Sequence, residues 1–467
     1  MRWLVFAALI GACGDNAARA VDAQVLPDVS SAFLAELQSL PNVHDVTEMP
    51  TASGFHYFVL HFTQPVDHDD PTGPTFLQEV SLLHKDTAAP MVVYTDGYWD
   101  YYVDNEVELT YLLAGNQISI EHRYFGTSRP ENPDWSKLTI AQMAADEHVI
   151  VTSLKQLYTG PYVSSGGSKG GMTAIFFRRF YPEDVVATIP YVAPISFGAP
   201  DDRYPPYLRA VGDEACRDTV RALAVEMLQN RRAALEALTS AQATTKSYIY
   251  NRVALGPAVE SAILGFEWSF WQYYGISNCA ALPATTATDQ ALFDLLDQVS
   301  PPSSSDDEQI GNFDAYYYQA YFQLGYPADD TDTYLKPYEM YTDADYVNSL
   351  PTAQPAYDGA VAMDDIQSWL KTEGTQFAFI YGQWDPWSAG AFDTEGARDT
   401  LRMFVSQGTH NSHISSLTDS DQTMVYQRLM AWTGVAVKSA QIAPFVAREP
   451  IHEPHVPAAI RRKLRHR

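Results

Sequence analysis

Positive charge is scarce in this chain. Lys and Arg number 30 against 57 Asp and Glu, a formal net charge of −27 over 467 residues. So acidic a surface repels phosphate backbones, which excludes nucleic acid as a partner. Cysteine is scarcer still, at 3, and a chain this long buries enough core to fold without a disulfide framework or a metal. Long apolar runs are missing as well. Only Leu4–Ile10 comes close, and it is too short to remain as a membrane span. Aromatic residues, by contrast, are plentiful (Tyr 29, Phe 21, Trp 9), which points to aromatic-lined surfaces or an aromatic-rich core. Length alone is compatible with about three domains, or with one large enzyme domain carrying an insertion.

The ends read as separable from the fold. Residues 1–20 have the shape of an export signal, with Arg2 ahead of the apolar run. That run ends Leu9-Ile10-Gly11-Ala12-Cys13, which resembles a bacterial lipobox, so Cys13 is the expected lipidation site; simple cleavage after Ala18-Arg19-Ala20 is the alternative. The expected location is therefore outside the cytoplasm, as an outer-membrane lipoprotein, a periplasmic protein or a secreted one, with a membrane tether through Cys13. Two cysteines then remain, Cys216 and Cys279, and in an exported chain they most economically form a disulfide. Residues 21–42 read as a tether ending in a short helix around Ser31–Leu40, and 437–467 as a solvated tail. In that tail His452-Glu453-Pro454-His455 is not read as a metal site, because Pro454 breaks the helix such a motif needs.

Between the ends, strand and helix patterns alternate. Strands are predicted at Phe55–Phe62, Thr75–Leu83, Pro90–Thr95, Asn116–Glu121, Tyr162–Ser165 and Val185–Val192, with helices at Ile140–Leu157 and Met172–Phe180. From 201 to 355 strand signals thin out, while Thr219–Ala243 and Ala258–Tyr274 carry long helical patterns and Pro301–Asp307 reads as a loop. The alternation resumes over 356–436, with a helix at Asp364–Thr372, strands at Phe377–Tyr381 and Thr400–Val405, and a closing helix at Gln422–Trp432. The predicted class is α/β: a mostly parallel central sheet with flanking helices, residues 43–200 and 356–436, interrupted by a mainly helical cap at 201–355.

One motif carries chemistry. Gly166-Gly167-Ser168-Lys169-Gly170 lies between a predicted strand and a predicted helix, the setting in which Gly-x-Ser-x-Gly exposes a serine hydroxyl on a strained turn. A serine needs a base, and the base an orienting acid. Asp385 follows the strand Phe377–Tyr381, and His410 follows Gly408-Thr409 after the next strand, giving the order nucleophile, acid, base. His413 is the competing base, otherwise expected to face the cleft or solvent. The backbone amides of Lys169 and of Gly97 or Tyr98 are the candidate oxyanion donors. The Lys169 side chain is expected to be a surface or structural charge that points away from the hydroxyl.

Five phrases together resemble a known group: Phe62-Thr63-Gln64-Pro65-Val66-Asp67-His68, Glu121-His122-Arg123-Tyr124-Phe125-Gly126-Thr127-Ser128-Arg129-Pro130, Gly166–Gly171, Trp384-Asp385-Pro386-Trp387 and Gly408-Thr409-His410. In order, from about 45 to 435, the chain resembles the secreted bacterial prolyl tri- and tetrapeptidyl aminopeptidases, and more distantly the lysosomal prolyl carboxypeptidase group. The resemblance implies an α/β-hydrolase fold with a helical cap, Ser168 as nucleophile, Asp385 as acid and His410 as base. It also implies cleavage after proline near a free peptide N-terminus, with no cofactor. A prolyl carboxypeptidase-like enzyme and an esterase of the same fold are the alternatives. Glu267, Trp268 and Trp271 in the cap, with Trp387, are the candidate substrate contacts, the rings for a pyrrolidine and the carboxylate for a terminal ammonium. Asp100 and Glu106 are further ammonium candidates. Glu121 and Arg123, which follow a strand, are each read as a member of some internal ion pair in preference to a substrate contact.

Overall fold

The computed structural model describes residues 31–51, 54–100, 104, 106–328, 334–346 and 356–438. The leader with Cys13, residues 21–30 of the tether and almost all of the tail lie outside them.

Nine strands form one sheet: β1 Val43–Met49, β2 His56–Pro65, β3 Thr75–His84, β4 Met91–Thr95, β5 Asn116–Ile120, β6 Tyr162–Gly167, β7 Ala187–Tyr191, β8 Ala378–Gly382 and β9 Leu401–Val405. Their order is β1-β2-β3-β5-β4-β6-β7-β8-β9. The first three strands join antiparallel, and everything from β5 onward is parallel. Parallel strands need crossover helices, and these cover both faces. In β4 the alternation is visible residue by residue. Met91 and Val93 pack into one core with Ile150, Val151 and Leu154 of α3 (Ile140–Leu154), the third helix after α1 (Ser31–Gln38) and α2 (Glu108–Leu113). Val92 and Tyr94 face the other core, shared with Leu109 and Leu112 of α2 and with Val425 and Leu429 of the closing helix Asp419–Thr433. The chain has the α/β-hydrolase fold.

Among the described residues between β7 and β8 every element is helical. The first of its two long helical patterns is interrupted by a π turn, and the second ends in one. Glu214–Glu226 and Arg232–Lys246 flank Met227–Arg231, while Leu255–Leu264 is followed by Phe266–Ser269 and the π turn Phe270–Tyr274. Leu223, Leu235, Ile263, Phe266, Trp271 and Leu296 meet in the cap's own core. Cys216 and Cys279 are bonded, with 5.6 Å between Cα atoms, which fastens the helix Glu214–Glu226 to the 3-10 turn Ile276–Ala281.

The differences from the sequence expectations have local causes. β1 is an edge strand exposed along most of its length, so it has no buried alternation to read. The helix α4, Lys169–Phe180, begins three residues earlier than its apolar pattern, because Lys169-Gly170-Gly171 carries no hydrophobic period. The segment Pro301–Asp307 is largely a 3-10 turn, Pro302–Ser305, capped by Asp306 into a further helix.

Candidate active site

Three parallel strands end on the same edge of the sheet, where ligands bind in open α/β folds. Each delivers one chemical group. β6 runs directly into Ser168, which has φ 52 and ψ −124 before α4 begins at Lys169. A non-glycine residue held in such a conformation stores strain of about 1–3 kcal/mol. The surroundings hold it there: the Ser168 N–H donates to Tyr191 O at 2.9 Å, and the Ser168 carbonyl accepts Met172 N–H at 3.0 Å. The elbow closes only because Gly170 has no side chain, since a Cβ there would lie 2.1 Å from Thr95 O.

β8 delivers Asp385 and β9 delivers His410, and both side chains are buried. His410 Nδ1 stands 2.6 Å from Asp385 Oδ2. Asp385 Oδ1 accepts the Trp387 N–H at 3.1 Å, which fixes the carboxylate at the head of a 3-10 turn. His410 Nε2 is buried without a hydrogen-bond partner, so one ring nitrogen is anchored and the other is available. His413, the competing base, has Nδ1 at 2.8 Å from Asn411 O and its ring against Tyr191, lining a narrow cleft with Glu108 and His410. Of the two histidines, only His410 is hydrogen-bonded to Asp385.

The loop after β4 packs onto the start of α4. Gly97 has φ +77, and a Cβ on it would stand 2.5 Å from Gly170 N, so the backbone carrying the Gly97 and Tyr98 amides lies directly against the Lys169–Gly170 peptide. The first amides of a helix have no partner within it and are biased toward negative charge. Of the two expected readings of Lys169, surface charge or structural charge, the structure has the second. The lysine side chain is buried, the ammonium donating to Gly97 O at 2.5 Å and lying 5.3 Å and 5.2 Å from the Tyr98 and Phe125 ring centres.

Two candidate substrate contacts are overturned by burial. Glu267 lies inside the cap, where Oε1 accepts from Arg221 Nε at 2.9 Å and Oε2 from the Tyr334 hydroxyl at 2.7 Å. Trp271 is 0% exposed and packed on Phe270 and Trp384, so it is cap core. Asp100 is also 0% exposed, its N–H donating to Glu121 Oε2 at 3.1 Å, so it meets no incoming ammonium. Glu106 is half-buried ahead of α2, and burial pushes its carboxyl above the usual range. Trp268 and Trp387 do come together. Their half-buried rings meet edge to face at 5.2 Å, with the fully buried Tyr204 at 5.8 Å from each, forming an aromatic corner between cap and hydrolase. Trp268 Nε1 donates to Gln272 Oε1, and Gln272 O accepts the His410 N–H at 2.8 Å.

Arg123 is an internal ion-pair member, and its partner is Asp146: Nε–Oδ2 2.6 Å and Nη2–Oδ1 2.7 Å, with both side chains fully buried. His68 Nε2 adds a contact to Asp146 Oδ1 at 2.7 Å, and Gln64 donates to Asp146 O. Glu121 instead accepts from Thr127 N–H, Ser128 N–H, the Ser128 hydroxyl and Asp100 N–H. Sequence reasoning missed Glu108. Its Oε2 accepts from the Tyr191 hydroxyl (2.9 Å) and Ile414 N–H (3.0 Å), and its Oε1 from Ser415 N–H (2.8 Å). No local signal marks it, because Ile414 lies 306 positions away.

The PS-10 peptidase S37 family model matches residues 30–454. The prolyl tri/tetrapeptidyl aminopeptidase of Streptomyces mobaraensis is 36% identical over 457 residues, 94% of this chain and 94% of its own length. Lysosomal Pro-X carboxypeptidases of Pongo abelii and Homo sapiens are each 29% identical over 204 residues, 36% of this chain and 38% of theirs. The chain belongs to the S37 peptidase family and is a serine peptidase.

Proposed function

We propose that this chain is an exported serine exopeptidase that releases short peptides from the free N-terminus of polypeptides, cleaving after proline. The observation that carries the chemistry is the 2.6 Å pairing of His410 Nδ1 with Asp385 Oδ2, which leaves Nε2 without a hydrogen-bond partner on a residue that lines one cleft with Gly167, the neighbour of the strained Ser168. The choice of peptide end rests on the aminopeptidase relative, which aligns with 94% of the chain, where the carboxypeptidases align with 36%.

In this reading the Ser168 hydroxyl attacks the carbonyl carbon of the proline residue. The Oγ–C bond forms, the proton passes to His410 Nε2, and the carbonyl π pair moves onto oxygen. Asp385 holds the tautomer that leaves Nε2 basic and stabilises the imidazolium. The oxyanion is met by the Lys169 amide and by the loop after β4. The C–N bond then breaks, the leaving amine takes the proton from Nε2, and water repeats the sequence to free the acyl group from Ser168. The half-buried rings of Trp268 and Trp387, backed by the fully buried Tyr204, offer faces to the pyrrolidine. The Cys216–Cys279 bond supports the export reading, since such bonds persist in oxidising compartments. Fractionation of cells expressing wild-type and Cys13→Ala protein tests the lipid tether, with loss of membrane association expected in the variant.

A free-amine Xaa-Xaa-Pro anilide and its N-acetylated counterpart test the main reading. Release from the first alone, abolished in Ser168→Ala, is expected. Equal turnover of the blocked substrate would instead favour the carboxypeptidase-like reading, and undiminished turnover by Ser168→Ala would remove the mechanism.

A further inference from the structure

The reaction described above calls for two oxyanion donors, one of them on the loop after β4, where Gly97 and Tyr98 both carry an amide. The Lys169 ammonium distinguishes them. It is buried beneath that loop and donates to Gly97 O at 2.5 Å. That oxygen belongs to the same planar unit as the Tyr98 N–H, and in a trans peptide the two bonds point in opposite directions. A grip on the carbonyl therefore fixes the amide. The second end of Tyr98 is held as well, its carbonyl accepting His122 N–H at 2.8 Å. The Tyr98 and Phe125 rings enclose the ammonium, so its hydrogen bond is made away from competing water.

We infer that Lys169 is a positioning residue for the oxyanion hole: its backbone N–H is one donor, and its side chain orients the other, the N–H of Tyr98, by holding the carbonyl of Gly97. This rests on Ser168 being the nucleophile. A buried lysine at the x position of the elbow thus has a task that neither a surface charge nor a proton acceptor would have. Its ammonium grips the neutral Gly97 carbonyl among its contacts, and the buried Glu147 and His122 feel its charge as well.

A peptide aldehyde ending in proline tests this, because Ser168 adds to it, forming an Oγ–C bond and leaving an oxygen in the oxyanion position. In the wild-type adduct that oxygen is expected about 2.7–3.1 Å from both Tyr98 N and Lys169 N. An adduct whose oxygen bonds Gly97 N in place of Tyr98 N would overturn the assignment. No adduct at all would count against the Ser168 reading instead. In Lys169→Met, kcat on the free-amine anilide is expected to fall roughly 10–100-fold with KM little changed, and the aldehyde to bind weaker by a similar factor. Lys169→Arg, which keeps a donor, is expected to recover part of both. A folded Lys169→Met enzyme with wild-type aldehyde affinity would also overturn it.

Discussion

Tyr191 and Glu108 join the two halves of the candidate active site. The Tyr191 hydroxyl donates to Glu108 Oε2 at 2.9 Å, while the Tyr191 carbonyl accepts the Ser168 N–H at the same distance. Glu108 in turn accepts the amides of Ile414 and Ser415, on the loop that carries His410 and His413. One buried carboxylate thus spans the end of β7, where Tyr191 holds the Ser168 N–H, and the loop that carries His410.

Glu108→Ala removes three acceptor contacts and leaves two backbone amides buried. A displacement of about 1 Å at a reacting group can cost roughly 100-fold. A fall in kcat of about 10–100-fold is expected, with Glu108→Gln intermediate because it keeps one oxygen. Steady-state kinetics beside a thermal melt of each variant separate the catalytic effect from the loss of stability.

Arg123→Met strands Asp146 in a fully buried site. Breaking a buried pair on one side costs about 3–5 kcal/mol, and here Asp146 also bonds His68. Urea unfolding is expected to show a loss of that order. The double variant Arg123→Met/Asp146→Leu is expected to regain much of it, since no charge is then left unpaired.

Glu121 gives stability a pH dependence. Burial, with Glu79 and Asp100 close by, pushes its carboxyl from 4.5 up to about 8, against the Ser128 hydrogen bond that pulls it down. A carboxyl raised on folding holds its proton longer in the folded chain than in the unfolded one. Its contribution to stability is thus fully present below about pH 4.5 and is lost as pH rises toward 8. Urea midpoints measured between these values are expected to decline with pH, and to decline less in Glu121→Gln. A flat wild-type profile would show that Glu121 ionises normally.

Reducing Cys216–Cys279 frees a loop with a sequence separation of 63. On the chain-entropy account this costs about 4 kcal/mol. Because the bond lies within the cap, and cap residue Gln272 holds the His410 N–H, reduction is expected to raise KM as well as lower the melting temperature. Cys216→Ser/Cys279→Ser should reproduce both changes, and a reductant titration followed by activity and melting checks it.

Local pattern made much of this protein legible. The strands of the parallel sheet are short apolar runs between turn residues, and Gly166-Gly167-Ser168-Lys169-Gly170 is contiguous, so the elbow could be read from one stretch. Asp385 and His410 could be read from their places after strand ends. The phrases Gln64-Pro65-Val66-Asp67-His68 and Glu121-His122-Arg123 were legible only as phrases. In the fold, Gln64, His68 and Arg123 converge on Asp146.

Spacing along the chain could rank His410 above His413, but only the folded chain puts one of them 2.6 Å from Asp385. Folding alone turned Glu267 and Trp271 inward, because a helix in a packed cap buries whichever face meets its neighbours. It also made Lys169 a buried grip on Gly97 O and Glu108 a clamp on a loop some 306 positions away. These roles depend on hydrogen bonds between distant segments. Sequence fixes the donors and acceptors available, and the approach of backbones in three dimensions decides which of them meet.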